Sequence, residues 1–182
     1  MRLSVLTVSD SCAAGTREDL SGPALVDLIK KSQRIEGARI SSTMVVPDDQ
    51  ATIEAALIKM SADSDVIITT GGTGFGKRDI TPEATMNVIQ RRCSGLEVAI
   101  HRHSLEATPM AALSRAIAGI NGSTVIVNFP GSVKAVKECW VVVEPILHHA
   151  VDLLSHCDDG SLHAAMAKEA QTAAGDNGQM AH

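Results

Sequence analysis

An α/β fold, three-layered (α/β/α) around a mostly parallel sheet, is what this chain predicts, on three observations. Short apolar, β-branched runs alternate with segments of helical periodicity through the first half. The runs end in polar or glycine-bearing loops at Ser9-Asp10, Pro47-Asp48 and Gly71-Gly72-Thr73-Gly74, which a parallel sheet gathers at one edge. Aromatics are confined to Phe75, Phe129 and Trp140, so the core must be built from Ile, Val, Leu, Ala and Met.

Leu3 to Val8 reads as the first buried strand, closed by a Ser9-Asp10-Ser11 loop, and Ser21-Gly22-Pro23 signals a helix start. That helix carries Leu25, Leu28 and Ile29. Arg39 to Val46 alternates as a second strand and closes at Pro47-Asp48-Asp49. Ile53, Ala56, Leu57 and Met60 then fall at i, i+3, i+4 and i+7, one face of an amphipathic helix. Val66 to Thr70 is the third strand; Thr81-Pro82, an N-cap residue and a first-turn proline, opens a helix expected to reach Arg92.

The second half is expected to hold a helix over Gly95 to His103, a turn over Ser104 to Pro109, and a hairpin. The hairpin strands, Ala116 to Ile120 and Thr124 to Phe129, flank Asn121-Gly122, a strong hairpin-turn signal. Asn128-Phe129-Pro130-Gly131-Ser132 leads into a last helix, with Val136, Trp140, Val143, Leu147, Val151 and Leu154 on one face and Pro145 expected to kink or divide it. One domain over residues 1–157 is the expectation, followed by an Ala/Gly/Gln/Asp-rich, mobile tail over 158–182.

The loop behind the third strand carries the chemistry. Gly71, Gly72, Gly74 and Gly76 let the backbone approach a ligand and point N–H groups at an anion, and the following helix N-terminus adds a favourable field. The spacing fits neither the G-x-x-x-x-G-K-[ST] phosphate loop nor the G-x-G-x-x-G dinucleotide loop. A tight strand-to-helix connection explains glycines alone. Arg78 and Asp79 tilt the reading toward a phosphate–magnesium site, because a turn needs neither a guanidinium nor a carboxylate.

The chain has 182 residues and a formal charge of −5, with no basic run and no aromatic platform, which argues against nucleic-acid binding. Cations for an anionic ligand must be gathered locally, from Lys77, Arg78, Arg115 and Lys134. Cys12, Cys93, Cys139 and Cys157 are scattered, as free thiols in a reducing compartment would be. Neither a signal peptide nor a membrane span is visible, so a cytoplasmic protein is expected. The histidines at 101, 103, 148 and 149 stand at spacings that do not share a helix face, so surface or packing roles are expected of them.

These motifs resemble the molybdopterin adenylyltransferases: bacterial MogA/MoaB-like proteins and the G domains of gephyrin and its plant counterpart. The matching segments are Leu6-Thr7-Val8-Ser9-Asp10-Ser11, Val46-Pro47-Asp48, Thr70 to Phe75, Arg78 to Thr85, Leu113-Ser114-Arg115 and Asn128 to Ser132. They run in order over roughly residues 3 to 156, and Gly74-Phe75 and Ala118-Gly119-Ile120 lie nearer the eukaryotic type. Lys77 stands where the family often has proline or arginine.

The resemblance implies a trimeric α/β enzyme that transfers AMP from Mg-ATP to the terminal phosphate of molybdopterin and releases pyrophosphate. A separate molybdenum-insertion protein would act next. Catalytic roles fall to Asp48, Asp79 and Ser114, with Asp48 and Asp79 holding Mg2+ and Ser114 on the molybdopterin side. Ser9, Asp10, Gly71, Gly72, Thr73, Gly74, Arg78, Glu83, Arg115, Asn128, Pro130, Gly131 and Ser132 would bind substrate or nucleotide.

Plainer roles stand beside these. Asp48 or Asp49 could cap a helix, Ser9-Asp10 could form an Asx turn, Glu83 could complement its helix dipole, and Ser132 could be an N-cap. Ser114-Arg115 could be a serine leading into the hairpin beside a solvated arginine. Two rival functions also stand: a trimeric binding or assembly module with weak or lost catalysis, and a related enzyme that uses another nucleotide or hydrolyses a phosphoanhydride.

Overall fold

A computed structural model describes residues 1–155. Its strands are β1 (Arg2–Val8), β2 (Arg39–Val46), β3 (Val66–Thr70), β4 (Arg91–Arg92), β5 (Ala118–Asn121) and β6 (Thr124–Phe129). Its helices are α1 (Asp10–Ala13), α2 (Ser21–Lys31), α3 (Gln50–Ser61), α4 (Thr81–Val88), α5 (Ser94–Ala107) and α6 (Val133–Ser155), with a 3-10 turn at Pro109–Leu113. Among the described residues the sheet runs β2-β1-β3-β6-β5-β4; β2, β1, β3 and β6 are parallel, and β5 and β4 pair antiparallel at one edge.

Strand alternation sorts the core into two sides. Leu3, Val5, Val66, Ile68, Val125 and Val127 share one buried cluster with Leu25, Ile29, Val136, Trp140, Val143 and Leu147 of α2 and α6. Leu6, Val8, Ile67 and Ile126 face the other way, onto Ile53, Ala56, Leu57 and Met60 of α3 and Ala84 and Val88 of α4. Both faces of the parallel strands are thereby covered, as a sheet read as near-continuous apolar runs requires. Among the described residues no helix is long and apolar enough to cross a membrane.

Several local expectations change. Thr81 is the first residue of α4 rather than its cap; the residue before the helix is Ile80, and the Thr81 hydroxyl donates to Gly71 O at 2.9 Å. That helix ends at Val88, not Arg92, because Gln90 N donates to Ile120 O and Cys93 N to Ala118 O, each at 2.8 Å, tying the segment to β5. The expected turn over Ser104 to Pro109 is half helix, since α5 runs on through Ala107. The first hairpin strand begins at Ala118, and Gly122 takes the positive φ, 58°, of its turn. Pro145 lies inside α6 without dividing it; the burial of Val143 and Leu147 on either side holds the helix together. The expected tail at 158–182 and Cys157 lie outside the described residues.

Candidate active site

The parallel strands end together, and their loops meet there. Ser9, the residue after β1, accepts a hydrogen bond from Cys12 N at 3.3 Å and caps α1, where an open loop was expected. Asp10 and Asp48 then clasp across the ends of β1 and β2: Asp10 N donates to Asp48 Oδ2 at 2.7 Å, and Asp48 N to Asp10 Oδ1 at 2.9 Å. Arg78 reaches over from the glycine loop and forks onto both Asp10 oxygens at 3.0 Å. That fork, helped by the Asp48 N–H, holds the Asp10 carboxyl below its ordinary range.

The choice between Asp48 and Asp49 resolves cleanly. Asp49 is the cap of α3, accepting from Thr52 N at 2.9 Å and Thr52 Oγ1 at 2.6 Å. Asp48 does not cap that helix and lines the cavity at the strand ends. Burial, and the negative charge of Asp10 and Asp79 nearby, push its carboxyl above the usual range. A carboxylate raised by neighbouring carboxylates is a place where a cation is stabilising.

The glycine loop owes its shape to backbone demands. Gly71 and Gly72 have φ of 101° and 63°, and a Cβ on Gly71 would collide with Val8 O. Asp79 closes the loop on itself by accepting from Gly76 N at 2.8 Å; a Cβ at Gly74 or Gly76 would lie 2.9 or 2.7 Å from Asp79 Oδ2. Arg115 clamps the loop from outside, donating to Gly74 O at 2.8 Å, to Asp79 O at 2.7 Å and to Glu83 Oε1.

Free donors remain. Among the described residues, the amides of Gly72, Thr73 and Gly74 have no hydrogen-bond partner. The same holds for Gly131 and Ser132, where Gly131 passes so close to Gly71 that an added Cβ would stand 3.1 Å from its Cα. Ser132 is also the N-cap of α6, its Oγ accepting from Ala135 N at 3.1 Å, so the positive end of a 23-residue helix points the same way.

These groups line a cavity of about 880 Å³. Its wall includes Ser9, Asp48, Gly71 to Gly74, Asp79, Ser114, Asn128 and Pro130 to Ser132. Four of the expected ligand residues, Asp10, Arg78, Glu83 and Arg115, are not in that wall, and each is bonded to protein. Asn128 is fully buried; it accepts from Ile117 N at 3.3 Å and donates to Thr69 and Thr85 hydroxyls at 3.0 Å, which fastens β6 to β3, α4 and the segment after Ser114.

A second part of the lining was not foreseen. It comes from Glu97, His101 and Ser104 of α5, Met110 and Leu113 of the 3-10 turn, and Glu138 of α6. Asp19 was missed as well, although an Asp two residues before Ser21-Gly22-Pro23 is a capping signal: it accepts from Ser21 N at 3.1 Å and Gly22 N at 3.0 Å. Magnesium fits this donor set. Among the described residues no group of three or more Asp, Glu, His or Cys side chains could enclose a metal, and magnesium needs only one or two carboxylates beside substrate phosphates.

A family described as a probable molybdopterin binding domain matches residues 4–149. The chain belongs to that family. The chain is similar to the molybdenum cofactor synthesis protein cinnamon of Drosophila melanogaster, 44% identical over 164 residues, covering 87% of this chain and 26% of cinnamon. It is also 38% identical over 156 residues to a molybdopterin adenylyltransferase of Helicobacter pylori, covering 85% and 88% of the two chains. The crystal structure of the molybdopterin biosynthesis enzyme MoaB from Thermus thermophilus superposes with a TM-score of 0.75 at 38% identity, over 84% of this chain and 95% of that one. The MogA/MoaB-like fold is thus shown. The domain spans about a quarter of cinnamon's length and most of the bacterial enzyme's.

Proposed function

We propose that this chain is a molybdopterin adenylyltransferase of molybdenum cofactor biosynthesis. It transfers AMP from Mg-ATP to the terminal phosphate of molybdopterin and releases pyrophosphate. The observation that carries this is the convergence of two runs of unpartnered amides, at Gly72–Gly74 and Gly131–Ser132, on a cavity that also holds Asp48 and Asp79. Fixed N–H donors beside carboxyl groups suit a polyphosphate with its metal, and the family's description points to the acceptor.

The nucleophile is an oxygen of the molybdopterin phosphate, already ionised, so the residues need supply no strong general base. That oxygen bonds to the α-phosphorus of ATP, and the bond from the α-phosphorus to the bridging oxygen of the β-phosphate breaks, its electron pair leaving with pyrophosphate. Asp48 and Asp79 would hold Mg2+, which when bound neutralises charge on the phosphates. The amides of Gly72, Thr73 and Gly74 orient the phosphates in place, and the Asp79–Gly76 and Arg115 contacts keep them there without reorganisation. Ser114 lines the cavity and would donate to the second substrate.

The working form is proposed to be a cytoplasmic homotrimer. Val98 and Leu105 of α5 and Met110 and Leu113 of the following turn are exposed, an apolar surface that a subunit contact would cover. The product would pass to a molybdenum-insertion protein. The test is one assay with purified protein, Mg-ATP and molybdopterin, quantifying adenylylated molybdopterin and pyrophosphate together. Equal amounts of both products are expected. Molybdopterin binding without either product would overturn the enzyme in favour of a binding module.

A further inference from the structure

The cavity is short of cations. Its wall carries Glu18, Asp19, Asp48, Asp79, Glu97 and Glu138, and among the described residues Arg17 is its one arginine or lysine. The arginines marked by the glycine-loop and Leu-Ser-Arg motifs are engaged: Arg78 with Asp10, and Arg115 with Gly74, Asp79 and Glu83. Lys134 faces Glu138 at 3.8 Å, and Lys77, the fourth candidate, is not in the cavity wall. A polyphosphate entering this wall therefore needs a guanidinium or ammonium that is not already paired.

Arg17 answers that need by position. It belongs to no ion pair among the described residues; its side chain makes one long contact, Nη2 to Ser9 Oγ at 3.5 Å, over the end of β1. Ser9, Arg17 and Gly71 to Gly74 line the same cavity, so the guanidinium and the glycine loop share one space. The backbone that presents it is pinned on both sides. Thr16 N and Arg17 N donate to Ser11 O at 3.0 and 3.1 Å. Two residues on, Asp19 Oδ2 accepts from Thr7 Oγ1 at 2.6 Å while its Oδ1 holds the first amides of α2. A Cβ on Gly22 would collide with Asp19 and stand 2.6 Å from Thr7 Oγ1, so that lock tolerates only glycine. The loop is held; the side chain is free.

We propose that Arg17 is a nucleotide-binding residue of this site, its guanidinium donating to the phosphate chain of ATP. This rests on the adenylyltransferase reading above and adds the cation which that reading lacks. A planar fork reaches two phosphate oxygens at once, which an ammonium cannot do. The contact forms at an exposed position, so it also gives nucleotide binding a component that weakens with salt.

The test is calorimetric titration of the full chain with the Mg2+ complex of the α,β-methylene analogue of ATP, which cannot be cleaved at the reacting bond, and separately with molybdopterin. Arg17→Ala is expected to weaken the nucleotide analogue by about 10- to 100-fold and leave molybdopterin affinity unchanged. Arg17→Lys is expected between wild type and Arg17→Ala. Equal affinity of wild type and Arg17→Ala for the analogue overturns the assignment. So does an equal loss for both ligands, because it would mean that the loop has collapsed. A wild-type chain that binds molybdopterin but not the analogue overturns the adenylyltransferase reading, and Arg17's role with it.

Discussion

The two walls of the cavity are built on different principles. At the strand ends, the donors are backbone amides whose positions are set by Asp79, Arg115, Thr81 and the close packing of Gly71 against Gly131. α5 and α6 contribute side chains to the same cavity: His101 and Ser104, with Glu97 held by Arg92 and Glu138 facing Lys134. Fixed dipoles meet charge that develops during a reaction at little reorganisation cost. Side-chain acceptors suit a ligand rich in N–H groups, as a pterin ring is. On the proposed reaction, one wall handles phosphorus and the other handles recognition.

The comparison breaks most sharply at the carboxylates. Asp48→Ala and Asp79→Ala are expected to lower turnover by about 10²- to 10³-fold, measured as adenylylated product. Asp79 also closes the glycine loop through Gly76 N, so Asp79→Asn, which keeps an acceptor oxygen, separates charge from loop shape. Turnover at wild-type rates in both alanine variants would remove the metal assignment and leave the strand-end wall as a scaffold only.

Arg115 tests whether that wall is held from outside. Its three contacts bind the glycine loop and α4 to the segment after Ser114. Arg115→Ala should cost about 2 kcal/mol of unfolding free energy by denaturant titration. Arg78→Ala is the contrast: its pair with Asp10 leaves the arginine side chain 67% exposed, and such solvated pairs contribute little, so a smaller loss than that of Arg115→Ala is expected. Equal losses in the two variants would mean that the loop has no outer clamp.

Ser114 probes the boundary between the walls. It lines the cavity, and its Oγ accepts from Ala116 N at 3.3 Å, which leaves the hydroxyl proton for a ligand. Ser114→Ala should raise KM for molybdopterin by about 10-fold, the loss of one hydrogen bond to a charged group, and leave KM for ATP unchanged. A selective loss of ATP affinity would move Ser114 to the nucleotide side.

The same division separates what was legible in the sequence. Strand ends are local: β-branched runs followed by glycines, Thr-Pro or Asn-Gly announce themselves, and the core face Ile53, Ala56, Leu57 and Met60 is buried as its spacing implied. The strand-end site residues came through the motifs those ends carry. The helical wall has no such local text. Glu97, His101 and Ser104 line one cavity with Ser114 only in the folded chain, and α5 itself ran a turn longer than its composition signalled. Ile89 to Arg92 failed for the same reason: a helical continuation loses to hydrogen bonds with β5, a partner far along the chain. Arg78 and Arg115 show a further limit. Residue type suggested phosphate ligands, whereas the fold uses both guanidiniums on its own loops.

The smallest expected effect concerns Asp48 and pH. Burial, with repulsion from Asp10 and Asp79, raises its folded pKa, so the folded state binds this proton more tightly than the unfolded chain does. Its contribution to stability is therefore fully present below the unfolded value of about 4 and is lost as pH rises through the folded value. At neutral pH the ionised carboxylate is a cost. Asp48→Asn keeps the acceptor for Asp10 N and removes that cost, so its thermal midpoint should exceed wild type slightly at pH 7, with the gap closing below about pH 4. Catalysis should move the opposite way: if Asp48 holds the metal as proposed, protonating it removes that ligand, so wild-type activity should fall on acidification sooner than an ordinary carboxylate would dictate. A wild-type midpoint above that of Asp48→Asn at pH 7 would mean that the carboxylate stabilises the fold, and Asp48 would then belong to the scaffold of the strand-end wall rather than to its chemistry.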